Sequence, residues 1–147
     1  MTEELLPSEV REKVLQEHAA LREQIAAVRA AIDEGGDALL EAARALFDGL
    51  LRHLDSEDRI LIPTLETIDA WGPQRAQRLR DEHAGQRRWV ARTRERLTSD
   101  PAALSAQLDR LTTFLERLEK DMEEEESDEL NADLLREYPF PVDMGGG

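Results

Sequence analysis

The sequence predicts an all-α protein: an up-down-up-down antiparallel four-helix bundle with a short C-terminal tail. Three observations predict it. Turn and breaker signals at Gly35-Gly36, at Pro63 with Gly72-Pro73, and at Ser99-Asp100-Pro101 cut the chain into four long segments. Within each segment apolar residues recur at alternating spacings of three and four, the stripe of an amphipathic helix. The composition agrees, since 4% aromatic residues and eight glycines in 147 residues disfavour a strand-rich sandwich or barrel.

The first helix is expected from about Ser8 to Asp33, with a seam of Val14, His18, Leu21, Ile25, Val28 and Ile32. The second starts from an Asp37 cap and ends near Ile62, where Pro63 stops it; its seam is Leu39, Ala43, Leu46, Leu50, His53, Glu57 and Ile60. The third, from about Pro73 to Thr98, presents Ala76, Leu79, His83, Gln86, Val90, Thr93 and Leu97. The fourth is expected from an Asp100 cap with Pro101 at the first helical position to about Arg136, with Leu104, Leu108, Leu111, Phe114, Leu118, Asp121 and Glu125 in its seam. Short loops make neighbours antiparallel. Residues 1–136 are thus expected to form the bundle. Residues 137–147, with Tyr138-Pro139-Phe140-Pro141 and Gly145-Gly146-Gly147, cannot continue a helix and are expected as a partly disordered tail. Trp71 and Trp89 are expected to pack at a bundle end and flank.

Charge and cysteine content narrow the chemistry. Thirty-three acidic against 19 basic residues give a net charge of -14, which argues against nucleic acid as a partner, because that affinity rests on Lys and Arg replacing condensed counterions. With no cysteine there is no disulfide, thiolate zinc site, iron–sulfur cluster or thiol nucleophile. No apolar run reaches the roughly 20 residues of a membrane span, and Met1-Thr2-Glu3-Glu4 lacks the basic flank of a signal peptide. A cytoplasmic location without membrane contact is expected.

Polar residues interrupt all four apolar seams. All three histidines of the chain fall in seams; if a helical position has roughly two chances in seven of lying there, three independent hits occur about 2% of the time. Depth points the same way. His18, His53, His83 and Glu125 each lie about 14–16 Å from the same bundle end at ~1.5 Å per residue. His53/Glu57 and Asp121/Glu125 are spaced i, i+4, so each pair projects from one helix face one turn apart. Three imidazoles and three carboxylates buried without compensation would be costly. Two divalent cations remove that objection, and mixed nitrogen and oxygen ligation without sulfur suits iron or manganese, with zinc possible by affinity. The ferritin-like plan needs Glu-x-x-His, and three residues before the histidines stand Leu15, Leu50 and Arg80.

The order of these residues resembles the hemerythrin-like, or HHE cation-binding, family over about residues 10 to 135. His53-Leu-Asp-Ser-Glu57-Asp-Arg-Ile-Leu-Ile-Pro63 looks like the family's His-x-x-x-Glu-Glu followed by an apolar stretch and proline. Asp121-Met-Glu-Glu-Glu125-Glu aligns with it, so Asp121 stands where the family usually has a second motif histidine; His18 and His83 match its single histidines. The resemblance implies a centre of two non-haem irons held by His18, His53, Glu57, His83, Asp121 and Glu125, with Glu57 and Glu125 bridging. It implies binding, sensing or reduction of O2, peroxide or nitric oxide, or sensing of iron, and, if the protein is an enzyme, a redox one. Arg87 occupies the position of the second helix-3 histidine of oxygen-carrying hemerythrins, so a five-histidine centre is excluded and reversible oxygen carriage is not expected. The pattern is closer to bacterial hemerythrin-like proteins and to an iron-sensing domain of a ubiquitin-ligase subunit. As a hard anionic ligand, Asp121 should favour the ferric state and peroxide or oxidase-type chemistry. A metal-free interaction module and a mononuclear or zinc-binding protein are the alternatives.

Other features read more simply. The Glu123–Glu126 run lacks the glycine and alternation of a calcium loop and reads as a solvated helix face. Eight arginines between Arg75 and Arg96 are expected to pair with acidic neighbours rather than form an anion patch. Gly85, inside a helix, leaves room for a neighbouring helix or a diatomic ligand, or is neutral.

Overall fold

The computed structural model describes residues 5–137, and every regular element among them is helical. The expected tail over 137–147 lies outside the described residues apart from Glu137. Helix α1 spans Pro7–Glu34. Pro7 starts it where a missing N–H costs nothing, and the Glu9 carboxylate accepts a 2.9 Å hydrogen bond from the Leu6 N–H. Gly35 and Gly36 both take positive φ, at 65° and 53°. That conformation, natural to glycine, lets α2 (Gly36–Ser56) restart at once, so Gly35 and not Asp37 holds its N-cap position.

Pro63 does not end the second helix. A π-helical turn over Glu57–Leu61 leads directly into α3 (Ile62–Ile68). Proline lacks the N–H an α-helix needs, and its ring crowds the carbonyl four residues back. The wider turn, in which the Ile62 N–H bonds to the Glu57 carbonyl, absorbs both defects. Helix α4 spans Gly72–Ser99.

The fourth expected helix is broken. The Asp100 carboxylate accepts the Ala102 N–H at 3.1 Å and holds a turn; α5 (Ala103–Ala106) is one turn long, and Gln107 leaves helical geometry at φ -129°, ψ 41° before α6 (Leu108–Ser127). Past Ser127 the chain makes turns to residue 137 and does not continue as helix. That lets Leu130 and Leu135 enter the core, where Arg11 Nε donates to the Leu130 carbonyl at 2.7 Å.

Side-chain pairs show how the long helices run. Arg29–Glu119, Arg22–Glu126 and Arg11–Leu130 join α1 to α6 and the turns after it, with numbers falling on one side as they rise on the other. The same reversal links α4 with α2, the π turn and α3 through Arg94–Asp48, Arg87–Asp58 and Arg80–Glu66, and α4 with α6 and its following turn through Gln86–Asp121 and Arg78–Glu129.

The apolar interior forms two clusters. One holds Leu21, Leu54, Val90 and Met122 with the buried residues toward the Gly35 end; the other holds Val14, Ile60, Leu79 and Leu130. Along each long helix the histidines and buried acids fall between members of the two clusters. Trp89 stacks on Phe114 with centroids 3.7 Å apart, as a packing residue should. Trp71 does not pack: it is 62% exposed at the turn before α4. No helix among the described residues is long and apolar enough to cross a membrane.

At Gly85 an added Cβ would meet only the Arg88 guanidinium, at 3.9 Å, so no neighbouring helix among the described residues requires glycine there. Gly85→Ala is therefore expected to stabilise the protein by about 1 kcal/mol through helix propensity, measured by urea unfolding.

Candidate metal centre

The six residues singled out in the sequence are all buried, none more than 8% exposed. They line one small cavity of about 20 Å³ together with Glu82 and Gln86. That is room for an ion or a water rather than a larger molecule.

Glu57, at the start of the π turn, is central. Its Oε1 lies 3.2 Å from His53 Nε2 and 3.0 Å from His83 Nε2, and its Oε2 lies 4.0 Å from His18 Nε2. Glu125 approaches from α6, with Oε1 3.1 Å from His18 Nε2. Three of these facing atoms, His18 Nε2, Glu57 Oε2 and Glu125 Oε1, are fully buried and make no hydrogen bond. Orphaned polar atoms at that depth are costly, and their convergence on one small space is what a cation would satisfy. One ligand atom each from His18, His53, Glu57 and Glu125 lies within 4.8 Å of the others, a set that could hold a metal ion.

The imidazoles are held from behind. His18 Nδ1 meets Glu126 at 2.7 Å, His53 Nδ1 meets Glu17 at 2.7 Å, and His83 Nδ1 meets Asp58 at 2.8 Å. An ionised carboxylate only accepts, so each Nδ1 carries the proton and donates it outward, which turns Nε2 toward the cavity. Each outer carboxylate is fixed in turn. Arg22 grips Glu126 with two hydrogen bonds at 2.8 and 3.0 Å, Ser56 donates to Glu17 at 2.8 Å, and Arg87 donates to Asp58 at 2.6 Å. Arg87, where a further histidine would have been needed for a five-histidine centre, thus orients His83 through Asp58. Outer carboxylates of this kind fix the tautomer and direction of metal-binding histidines.

The electrostatics follow from the geometry. Burial pushes the Glu57 carboxyl up, but the His53 charge and hydrogen bonds from the surrounding groups outweigh it and hold it well below the usual range. Burial and then the Glu57 charge push Glu125 well above that range. Burial lowers His53, and the Glu57 and Glu17 carboxylates overcome it, raising the imidazole to about 9. Burial followed by the His53 charge lowers His18. A cation entering this space competes with the proton on His53.

Asp121 is the least integrated of the six. Its Oδ2 accepts from Gln86 at 3.0 Å and its Oδ1 lies 3.5 Å from Arg117 Nε. Sequence reasoning missed Glu17, Asp58 and Glu126 behind the histidines, and Glu82 in the cavity wall. Burial and then the Asp121 charge raise the Glu82 carboxyl to about 7. The parallel between Glu57-Asp58 and Glu125-Glu126 was the available signal: in each pair the first acid faces inward and the second holds a histidine.

Fold and site together define a class: an all-helical protein with a buried histidine–carboxylate cluster suited to a cation. The chain belongs to the hemerythrin HHE cation binding domain family, whose profile matches residues 10–132. Neither a curated protein nor a solved structure gives a significant match.

Proposed function

We propose that this protein is a hemerythrin-like non-haem di-iron protein of the cytoplasm that binds, senses or reduces O2, peroxide or nitric oxide. Its six ligands would be His18, His53, Glu57, His83, Asp121 and Glu125, with Glu57 and Glu125 shared between the ions. The reading includes an up-down-up-down four-helix bundle over residues 1–136, supported by the reversed numbering of the cross-helix pairs. The observation that carries it is the inward turn of all three Nε2 atoms onto Glu57 and Glu125, each imidazole fixed by its own outer carboxylate.

Bound iron would supply the redox reactivity toward a diatomic or peroxide ligand. The chain's own residues do the rest. His18, His53 and His83 offer lone pairs in a fixed direction, and Glu57 and Glu125 offset cationic charge. Leu21, Leu54 and Met122 border the space and limit water. Glu82, beside Asp121 in the wall, can hold or pass a proton near neutral pH.

A mononuclear site is the second reading, favoured by one observation: the close set contains only His18, His53, Glu57 and Glu125, while Asp121 faces Gln86 and Arg117. Metal analysis of protein grown with iron separates the readings. About two irons per chain with ultraviolet-visible charge-transfer bands after oxidation supports the di-iron centre. One metal supports the second reading, and less than one overturns both. Glu126→Gln and Glu17→Gln are each expected to weaken metal binding by about 10–100-fold without lowering the final stoichiometry, measured by competition with a chelator.

A further inference from the structure

A second cavity, sharing no wall residue with the first, lies where α4 meets α5 and the start of α6. Its volume is about 280 Å³, near the lower end of the roughly 300–1,000 Å³ usual for small-molecule sites. The break at Gln107 between α5 and α6 lies in its wall.

The charge pattern here is unusual for a chain of net charge -14. Three arginines, Arg92, Arg96 and Arg110, line the cavity, and no acidic residue does. Elsewhere on α4, Arg75, Arg78, Arg80, Arg87 and Arg94 each meet an Asp or Glu, and Arg88 alone outside the cavity has no such partner among the described residues. Arg96 instead donates to Gln107 at 2.8 Å, and Arg92 and Arg110 have no ion pair or hydrogen bond among the described residues. Beneath the guanidiniums the buried side chains of Leu97, Leu104 and Leu111 supply an apolar floor.

We propose that this cavity binds a small organic anion with a hydrocarbon body, a medium-chain or single-ring carboxylate. Its carboxylate is held by Arg92, Arg96 and Arg110, and its apolar part covers the three leucines. Guanidinium groups match carboxylates in planar two-point contacts. The apolar floor discriminates against small inorganic anions, and the missing counter-acids discriminate against neutral amphiphiles. The site does not depend on the metal reading.

Trp89 lies in the cavity wall and reports on it. In Trp71→Phe protein it is the sole tryptophan, and its emission can be followed as decanoate, 1-decanol or acetate is added. Decanoate is expected to give a saturable change, with 1-decanol and acetate at least about tenfold weaker, and Arg92→Gln/Arg110→Gln weakening decanoate by about tenfold or more. Both arginines are exposed and unpaired, so the variant should retain its far-ultraviolet circular dichroism; either single substitution provides a smaller loss of the same sign. No saturable response to decanoate overturns the proposal. So does equal affinity for 1-decanol, or undiminished binding by the folded double variant, including the case where the protein instead associates with anionic vesicles.

Discussion

Replacing Glu57 by glutamine is expected to remove stoichiometric metal binding, lowering affinity by more than about a hundredfold, while the protein stays helical. One carboxylate here lies within 3.2 Å of two imidazole nitrogens and 4.0 Å of a third, so no other single side chain reaches so much of the site. Glutamine keeps the shape but loses the charge, and its amide N–H groups face nitrogen lone pairs they cannot leave free for a cation. The metal-free protein should also be destabilised, by about 3–5 kcal/mol as for other broken buried pairs, because His53 and His83 lose the partner that offsets their burial. Metal analysis, circular dichroism and thermal unfolding measured on one preparation test both statements. A folded Glu57→Gln protein with its full complement of metal would sink the assignment of Glu57, and with it the shared-carboxylate centre.

The seams were legible because helix periodicity is a local property. Val14, His18 and Leu21 on α1, or Leu50 and His53 on α2 with Glu57 just beyond it, lie on one face at any helix of ordinary pitch, and the structure buries them all. The direction of each imidazole was not legible in the same way. It depends on a carboxylate that comes from the same helix or its continuation in no case: Glu126 on α6 holds His18 on α1, Glu17 on α1 holds His53 on α2, and Asp58 in the π turn holds His83 on α4. Two backbone departures were hidden for opposite reasons. Pro63 looks like a terminator, but a π turn can carry the helix past it when Ile60, Leu61 and Ile62 have a core to enter. Gln107 looks like an ordinary helix former, and the break there comes with a tertiary contact, the hydrogen bond from Arg96. The helix-4 stripe was therefore read correctly by residue and wrongly as one rod. The same limit applies to the arginines of α4: sequence shows their number, and only packing shows which of them lack an acid.

Gly72→Ala is expected to destabilise the protein by about 3 kcal/mol, lowering the melting temperature by about 6–12 °C, although Gly72 does not have a left-handed backbone. The reason is proximity. A Cβ at this first residue of α4 would overlap the Leu65 carbonyl oxygen and approach the Leu65 carbonyl carbon to 2.9 Å, both backbone atoms of α3. Neither can swing aside, so the α3–α4 turn must open and separate Leu65 from Ala76 and Leu79 in the same apolar cluster. Gly49 supplies the contrast. A Cβ there would also overlap an oxygen, but that oxygen is the end of the Gln24 side chain, which can rotate away for the loss of one 3.2 Å hydrogen bond to the Ala45 carbonyl. Gly49 lies inside α2, where alanine gains up to about 1 kcal/mol in helix propensity. Gly49→Ala should therefore be close to neutral. The two variants change the same atoms in the same protein, and thermal unfolding in parallel isolates what each new methyl meets. A cost at Gly72 no greater than at Gly49 would mean that the turn yields freely and that the close packing of α3 on α4 contributes little to the stability of the site's lower cluster.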